Sequence, residues 1–276
     1  MIPTVGPGGI AGLALLDRTY ARQLDAFSRS AEVERAVAYF EEKAPTIASA
    51  ADLVADRRLL GIALGAFGLD DEIDKRALLR RVLEEGAASR EALAVRMVDP
   101  AYRKLADAFG FDRAGRMHDA EARAGIVDRY RVRRFERAIG NEDVTLRLAL
   151  NFRREIAELA AAPGTERSGW FSVVGSEPLR RVLFGALGLP QSFAALDLDD
   201  QARRLSERAE AVFGARSPRI FADPAVRETA VRRFLANAAL DGGISPTSPG
   251  AAALTLLGGS AGLGAGAIGG LVASRF

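Results

Sequence analysis

One short pattern occurs twice in this 276-residue chain, and it limits the fold more than any other feature. Residues 59–70 read LLGIALGAFGLD, and residues 179–190 read LRRVLFGALGLP. In both stretches the apolar residues recur at the spacing of one face of a helix. Gly65, Ala66, Gly68 and Leu69 are among the identical positions, and they recur as Gly185, Ala186, Gly188 and Leu189. We therefore predict two helices with the same ending, in two related helical halves.

The repeated ending is expected to stop a helix rather than to hold a ligand. Gly68 and Gly188 lie where the chain needs the left-handed conformation, which glycine adopts without a clash at Cβ. Leu69 and Leu189 follow, and each is expected to pack back on the last turn. A phosphate loop needs its glycines at a helix N-terminus, where free N–H groups face the anion. These four residues are therefore predicted to be structural.

Two further glycines, Gly65 and Gly185, lie inside the predicted helices. Glycine costs about 1 kcal/mol relative to alanine at such a position. Because both copies keep glycine despite this cost, we predict that another helix crosses closely at each of these positions. We count both residues among the structural residues of the repeated helix stop.

Within the helical part of the repeat, the two copies differ in charge at one pair of adjacent positions. Leu60 and Gly61 of the first copy correspond to Arg180 and Arg181 of the second. The first helix is therefore expected to be buried nearly all round, whereas the second faces solvent or an acidic partner. We take Arg180 and Arg181 as the candidate partner surface.

The rest of the chain predicts further helices in a repeated order. Asp99-Pro100 and Asp223-Pro224 each open a helix, because Asp caps free N–H groups and Pro suits the first turn. A surface helix is expected over 17–39, and a loop insertion over 162–170. Since no segment alternates with a period of two residues, the predicted class is all-α.

Four segments are predicted on this basis, with the halves forming one elongated or bilobed helical domain. They are an apolar N-terminal segment over 1–16, a first helical half over 17–115, a second helical half over 116–240 and a Gly/Ala-rich tail over 241–276. The tail carries no charged residue from Gly242 to Ser274. We leave three states of the tail open: a flexible or assembly segment, a membrane-associated helix over 251–273, and packing on the body.

Composition excludes several classes of site. The content of 49% hydrophobic and 27% charged residues is typical of a soluble globular protein. The chain has no cysteine, which excludes disulfides, thiolate metal sites and thiol nucleophiles. Its formal net charge of +2 does not indicate nucleic-acid binding.

No motif predicts catalysis, a cofactor or a metal. The one histidine, His118, has Glu121 as its only helical-spacing partner, and we interpret it as a solvated residue. The acidic run over 70–74 lacks the ligand spacing of a calcium loop and is interpreted as a solvated linker. The basic stretch over 128–137 is interpreted as a charged helix face with Val132 and Phe135 towards the core. The glycines from Gly264 to Gly269 match a dinucleotide motif by chance, since no strand precedes them.

Four stretches together resemble an alphaproteobacterial family catalogued as domain of unknown function 1217, which is often encoded in flagellar gene clusters. They are residues 32–86, the stretch DPAYRKLADAFGF over 99–111, RLALNFRREIAELA over 147–160, and the stretch over 185–213 that opens GALGLPQSF. The similarity spans roughly residues 17–240 and concerns helix-packing motifs. It implies a role in the flagellum and in bacterial motility, and it supplies no catalytic residue.

We therefore expect a non-enzymatic, flagellum-associated protein that acts through protein–protein contacts with flagellar components. A homo-oligomer remains open. The alternatives are a membrane-tethered adaptor anchored by 251–273 and an unrecognised enzyme or metal-binding protein that uses His118. The N-terminus lacks the basic stretch of a Sec signal, so a cytoplasmic or flagellar location is expected and a type III export route stays open.

Overall fold

The structure is a computed structural model that describes residues 2–113 and 115–241. Those residues form α-helices and short 3-10 turns, with no strand among them, so the predicted all-α class is confirmed. The helices are α1 Gly9–Ser28, α2 Ala31–Lys43, α3 Ala50–Ala55, α4 Arg57–Phe67, α5 Arg76–Glu85, α6 Leu93–Arg96, α7 Pro100–Phe109, α8 Ala120–Glu142, α9 Val144–Ala161, α10 Thr165–Gly175, α11 Glu177–Leu187, α12 Leu198–Phe213 and α13 Pro224–Asp241. None of these helices is long and apolar enough to cross a membrane.

Short polar side chains set the beginnings of several helices. The backbone N–H of Ala101 donates to the Asp99 carboxylate over 2.8 Å, and that of Ala225 donates to Asp223 over 2.8 Å. Such caps pair N–H groups that have no partner within the helix. Both Asp-Pro pairs therefore begin a helix, α7 and α13, as the sequence predicts.

The repeated stretch forms α4 and α11, and both helices end in the same geometry. Gly68 and Gly188 are left-handed, with φ of 76° and 67°. The N–H of Leu69 then bonds to the Leu64 carbonyl over 3.0 Å, and that of Leu189 to Phe184 over 2.8 Å. This long backward hydrogen bond is the signature of a Schellman ending.

A second helix crosses α4 and α11 at their interior glycines. A Cβ on Gly65 would lie 3.3 Å from the Tyr130 ring of α8. A Cβ on Gly185 would lie 2.7 Å from Cδ2 of Phe234 in α13, closer than real Cβ atoms approach. The absence of a side chain thus lets both helix pairs approach closely.

The two predicted halves share an order of packed elements. Helix α3 packs on α4 and α5, and α10 packs on α11 and α12. The predicted boundary at 115/116 lies between α7 and α8, and α8 packs on α4 of the first half. Helix α9 contacts α8, α11 and α13, and one connected hydrophobic core runs through both halves. The duplication itself stays a prediction.

The extent of one predicted helix is wrong. The surface helix expected over 17–39 is two helices, because α1 ends at Ser28 and α2 begins at Ala31. Helix α1 also takes in part of the N-terminal segment 1–16, where it buries Leu13 and Leu16.

The loop expected over 162–170 is largely α10. Trp170, Val173 and Val174 are buried and form one apolar face of that helix. The prediction of a loop overlooked this face. The tail beyond Asp241, including the segment 251–273, lies outside the described residues.

Candidate functional site

The two repeated helix ends lie at neighbouring depressions of the surface. The first, of about 350 Å³, is lined by the end of α4, and we call it the polar pocket. The second, of about 950 Å³, is lined by the end of α11, and we call it the apolar groove. Leu148, Glu177 and Arg181 line both depressions, so the two adjoin.

The polar pocket is surrounded by charges of both signs. Its arginines are Arg133, Arg134, Arg137, Arg147 and Arg181, and its carboxylates are Asp70, Asp71, Glu72, Asp99, Glu136 and Glu177. Several are already paired: Arg137 bonds to Asp70 over 2.6 Å, and the Glu72 carboxylate accepts from Tyr102 and Lys75. Arg147 forms no ion pair with any described residue.

A buried network of charges lies behind the polar pocket. Glu155 of α9 accepts from Arg133 of α8 over 2.6 Å, and it also accepts from Lys104 of α7 and from Arg154. Arg154 reaches Glu136 of α8 over 2.7 Å. These bonds join three helices at one point, so the network fixes how α7, α8 and α9 pack together.

Ion pairing sets the ionisation of this network. Burial alone would raise the pKa of Glu155, but the adjacent Arg133 and Lys104 outweigh it and hold the pKa at about 2. A carboxylate with so low a pKa is ionised throughout the physiological range and cannot act as a general acid or base near pH 7. The perturbed pKa therefore reflects structural ion pairing.

The apolar groove is lined mainly by hydrophobic side chains from α11 and α13. They include Phe184, Leu189, Pro190, Phe234, Ala238 and Leu240. Phe184 and Phe234 are almost fully buried and form the floor, whereas Leu240 is 78% exposed at the end of α13.

Arg180 and Arg181, the candidate partner surface, line this groove. Arg180 is half-buried and donates to the Val174 carbonyl over 2.8 Å, without a carboxylate partner among the described residues. Arg181 is exposed and lies 3.9 Å from Glu177, at the limit of an ion pair. In the first copy, Leu60 at the position of Arg180 is fully buried.

Side chains from distant parts of the sequence donate hydrogen bonds to backbone carbonyls at the end of α11. Arg233 donates to the Ala186 carbonyl over 2.8 Å, and Asn237 donates to Gly185 over 2.7 Å. At the other copy, a Cβ on Gly68 would lie 2.7 Å from the Arg133 guanidinium. Cationic groups thus lie at the negative ends of both helix dipoles. Sequence reasoning missed these partners, because no local pattern connects residues about 50 positions apart.

Comparison with known proteins identifies the family. The model of the family described as "Protein of unknown function (DUF1217)" matches residues 66–224, more than half of the chain. The chain belongs to the DUF1217 family. This confirms the resemblance drawn from the sequence, while the flagellar setting stays an expectation.

A solved structure is similar to this DUF1217 protein over most of its length. It is the crystal structure of a protein from Agrobacterium tumefaciens, which is 26% identical, with a TM-score of 0.68. The alignment covers 86% of this chain and 95% of that one. No curated protein matches the chain.

The other sequence candidates occupy ordinary positions in this DUF1217 fold. His118 is exposed in the turn before α8. Within residues 2–113 and 115–241, no group of three acidic or histidine side chains is placed to hold a metal ion. On α8, Phe135 is buried and Val132 half-buried, so the basic stretch has the predicted core-facing side. The glycines from Gly264 onwards lie outside the described residues.

Proposed function

We propose that this DUF1217 protein is a non-enzymatic, flagellum-associated protein that acts by binding a protein partner at Arg180, Arg181 and the adjoining groove. The observation that carries the proposal is that buried aromatic rings lie beside two arginines, of which Arg180 has no carboxylate partner among the described residues and Arg181 has only a distant one. Protein interfaces are enriched in aromatic residues and arginine, which supply most of the binding energy.

The chemistry of the lining favours binding over catalysis. The charged residues that line the apolar groove are Glu177, Arg180 and Arg181. The amide of Asn237 is already bonded to a backbone carbonyl. Thr145, the hydroxyl in the lining, donates to the Asp143 oxygen that also caps α9, so that carboxylate is engaged at a helix start. Such an arrangement is typical of a structural cap rather than of a nucleophile and its base.

The family supplies the cellular setting of the proposal. The motifs of this chain resemble those of a family often encoded in flagellar gene clusters, and this shared setting supports a role at the flagellum. We therefore place the protein in the cytoplasm or at the flagellum, in a structural or assembly role.

Deletion of the gene in its motile host tests the cellular role. We expect loss of swimming and defective filament formation, with both restored by the intact gene. Unchanged swimming with normal flagella would contradict the proposal.

Complementation with variants tests the surface. The double variant Arg180→Gln/Arg181→Glu removes one positive charge from the groove and reverses the other, and it is expected not to restore swimming. The matched control is Arg90→Glu, an exposed arginine in the loop after α5 that has no ion pair among the described residues. Circular dichroism of both purified proteins establishes that they fold, and equal swimming of both strains would exclude this surface.

A further inference from the structure

The apolar groove lies at the point where the described chain ends. Leu240 lines the groove one residue before the end of α13 at Asp241. Among the described residues it is the most exposed large hydrophobic side chain, at 78%. Residues 242–276 continue from this point, so they start beside the groove.

The sequence of that continuation complements the groove. Residues 242–250 read GGISPTSPG, and residues 251–257 read AAALTLL, with Leu254, Leu256 and Leu257 as bulky apolar side chains. No charged residue occurs from Gly242 to Ser274, so this stretch can be buried without desolvating a charge. A linker the length of 242–250 spans at most about 30 Å, and Leu240, just before it, itself lines the groove.

We propose that residues 251–257 dock in the apolar groove of their own chain. The leucines would cover the apolar part of the lining, which includes Phe184, Leu189 and Phe234. Tethering raises the effective concentration of a short linked segment to the millimolar range, which favours it over a second copy at cellular concentrations.

The docking of the tail has a consequence for partner binding. A partner that uses the groove would compete with residues 251–257 for the same apolar surface. This consequence rests on the proposed function, whereas the docking itself does not.

Single-cysteine labelling tests the docking directly, because the chain contains no native cysteine. Ala194→Cys places a thiol at an exposed residue of the groove, and the control Ala236→Cys places one on an exposed part of α13 outside the groove lining. Each variant is made in the full chain and in a chain that stops after Asp241. The rate of reaction with a maleimide is measured for all four proteins.

We expect Ala194→Cys to react about tenfold more slowly in the full chain than in the shortened chain, as for a tethered segment that binds with a dissociation constant of about 0.1 mM. The rate at Ala236→Cys is expected to be the same in both. A full-length variant with Leu254, Leu256 and Leu257 replaced by serine is expected to react at the faster rate, and it replaces the shortened chain if that chain fails to fold.

Equal rates at Ala194→Cys in the full chain and in the serine variant would overturn the proposal. Protection that grows with protein concentration would also overturn it, since the occupant would then be a second copy. Neither outcome depends on motility, so failure of the docking and failure of the proposed function are distinguishable.

Discussion

At the scale of single residues, the interior glycines of α4 and α11 show how closely a helix crossing can depend on one missing side chain. The Phe234 ring occupies the space that a Cβ on Gly185 would need, at 2.7 Å. Gly61 lies inside α4 but meets only Ile73, at an ordinary 3.5 Å. The helical cost of glycine is the same at both positions, so the crossing alone distinguishes them.

We expect Gly185→Ala to destabilise the protein and Gly61→Ala to stabilise it. Overpacking costs ~1–3 kcal/mol, which exceeds the helical gain of about 1 kcal/mol at Gly185. At Gly61 there is no overpacking, so only the gain in helix propensity applies. The two variants are therefore expected to differ in free energy of unfolding by the overpacking cost, about 2 kcal/mol. Urea titration of both variants measures the difference, and equal stabilities would mean that α13 does not press on Gly185.

At the scale of elements, the two helix ends share a backbone geometry and differ in their surroundings. Gly68 and Gly188 are both left-handed, but a Cβ on Gly68 would meet the Arg133 guanidinium, whereas nothing lies within 4 Å of one on Gly188. The end of α4 is therefore coupled to the buried ion network, and the end of α11 is not.

The two helix ends are expected to respond differently to alanine. Gly188→Ala incurs only the strain of a left-handed alanine, ~1–2 kcal/mol. Gly68→Ala incurs the same strain and displaces Arg133 from its bond to Glu155, so a loss larger by about 1 kcal/mol or more is expected. Thermal and urea unfolding compare the variants, and a smaller loss for Gly68→Ala would contradict the coupling.

The ion network between α7, α8 and α9 also predicts a dependence of stability on pH. Because folding lowers the pKa of Glu155 from its usual 4.5 to about 2, ionised Glu155 stabilises the folded state above pH 4.5. That contribution, about 3 kcal/mol, is lost as the pH falls from about 4.5 to about 2. Urea unfolding at pH 7 and at pH 3 measures the part that is lost by pH 3, about 2 kcal/mol.

Removal of the charge tests the same network at neutral pH. Glu155→Gln leaves Arg133 and Lys104 without their shared carboxylate and is expected to cost ~3–5 kcal/mol. The control is Glu84→Gln, which breaks an exposed pair with Arg80 on α5 and is expected to cost less than about 1 kcal/mol. A Glu155→Gln variant as stable as the control, with unchanged acid unfolding, would show that the network does not stabilise the fold.

At the scale of the whole molecule, the local patterns predicted the helices well and the long-range contacts poorly. Apolar spacing and Asp-Pro pairs identify α4, α7, α11 and α13, because these signals lie within a few residues of each other. Helix α10 was missed, since its glycine at 169 looks unfavourable until Pro218 is seen packed where its Cβ would lie.

The polar pocket and the apolar groove depend on contacts that no local pattern encodes. Lys104 and Glu155 meet across 51 positions, and Asn237 meets Gly185 across 52. Only Arg180 and Arg181 could be proposed from the sequence, because the comparison of the two copies singled them out. The packing of α9 against α11 and α13 places these two arginines beside a groove.

The measurement that tests the central claim most directly is affinity capture of the tagged protein from motile cells, quantified by mass spectrometry. The bait is compared with Arg180→Gln/Arg181→Glu and with Arg90→Glu. We expect a flagellar protein to be enriched with the unmodified chain and with Arg90→Glu, and to be lost with the double variant. Enrichment of no flagellar protein, or equal enrichment with all three baits, would contradict the account.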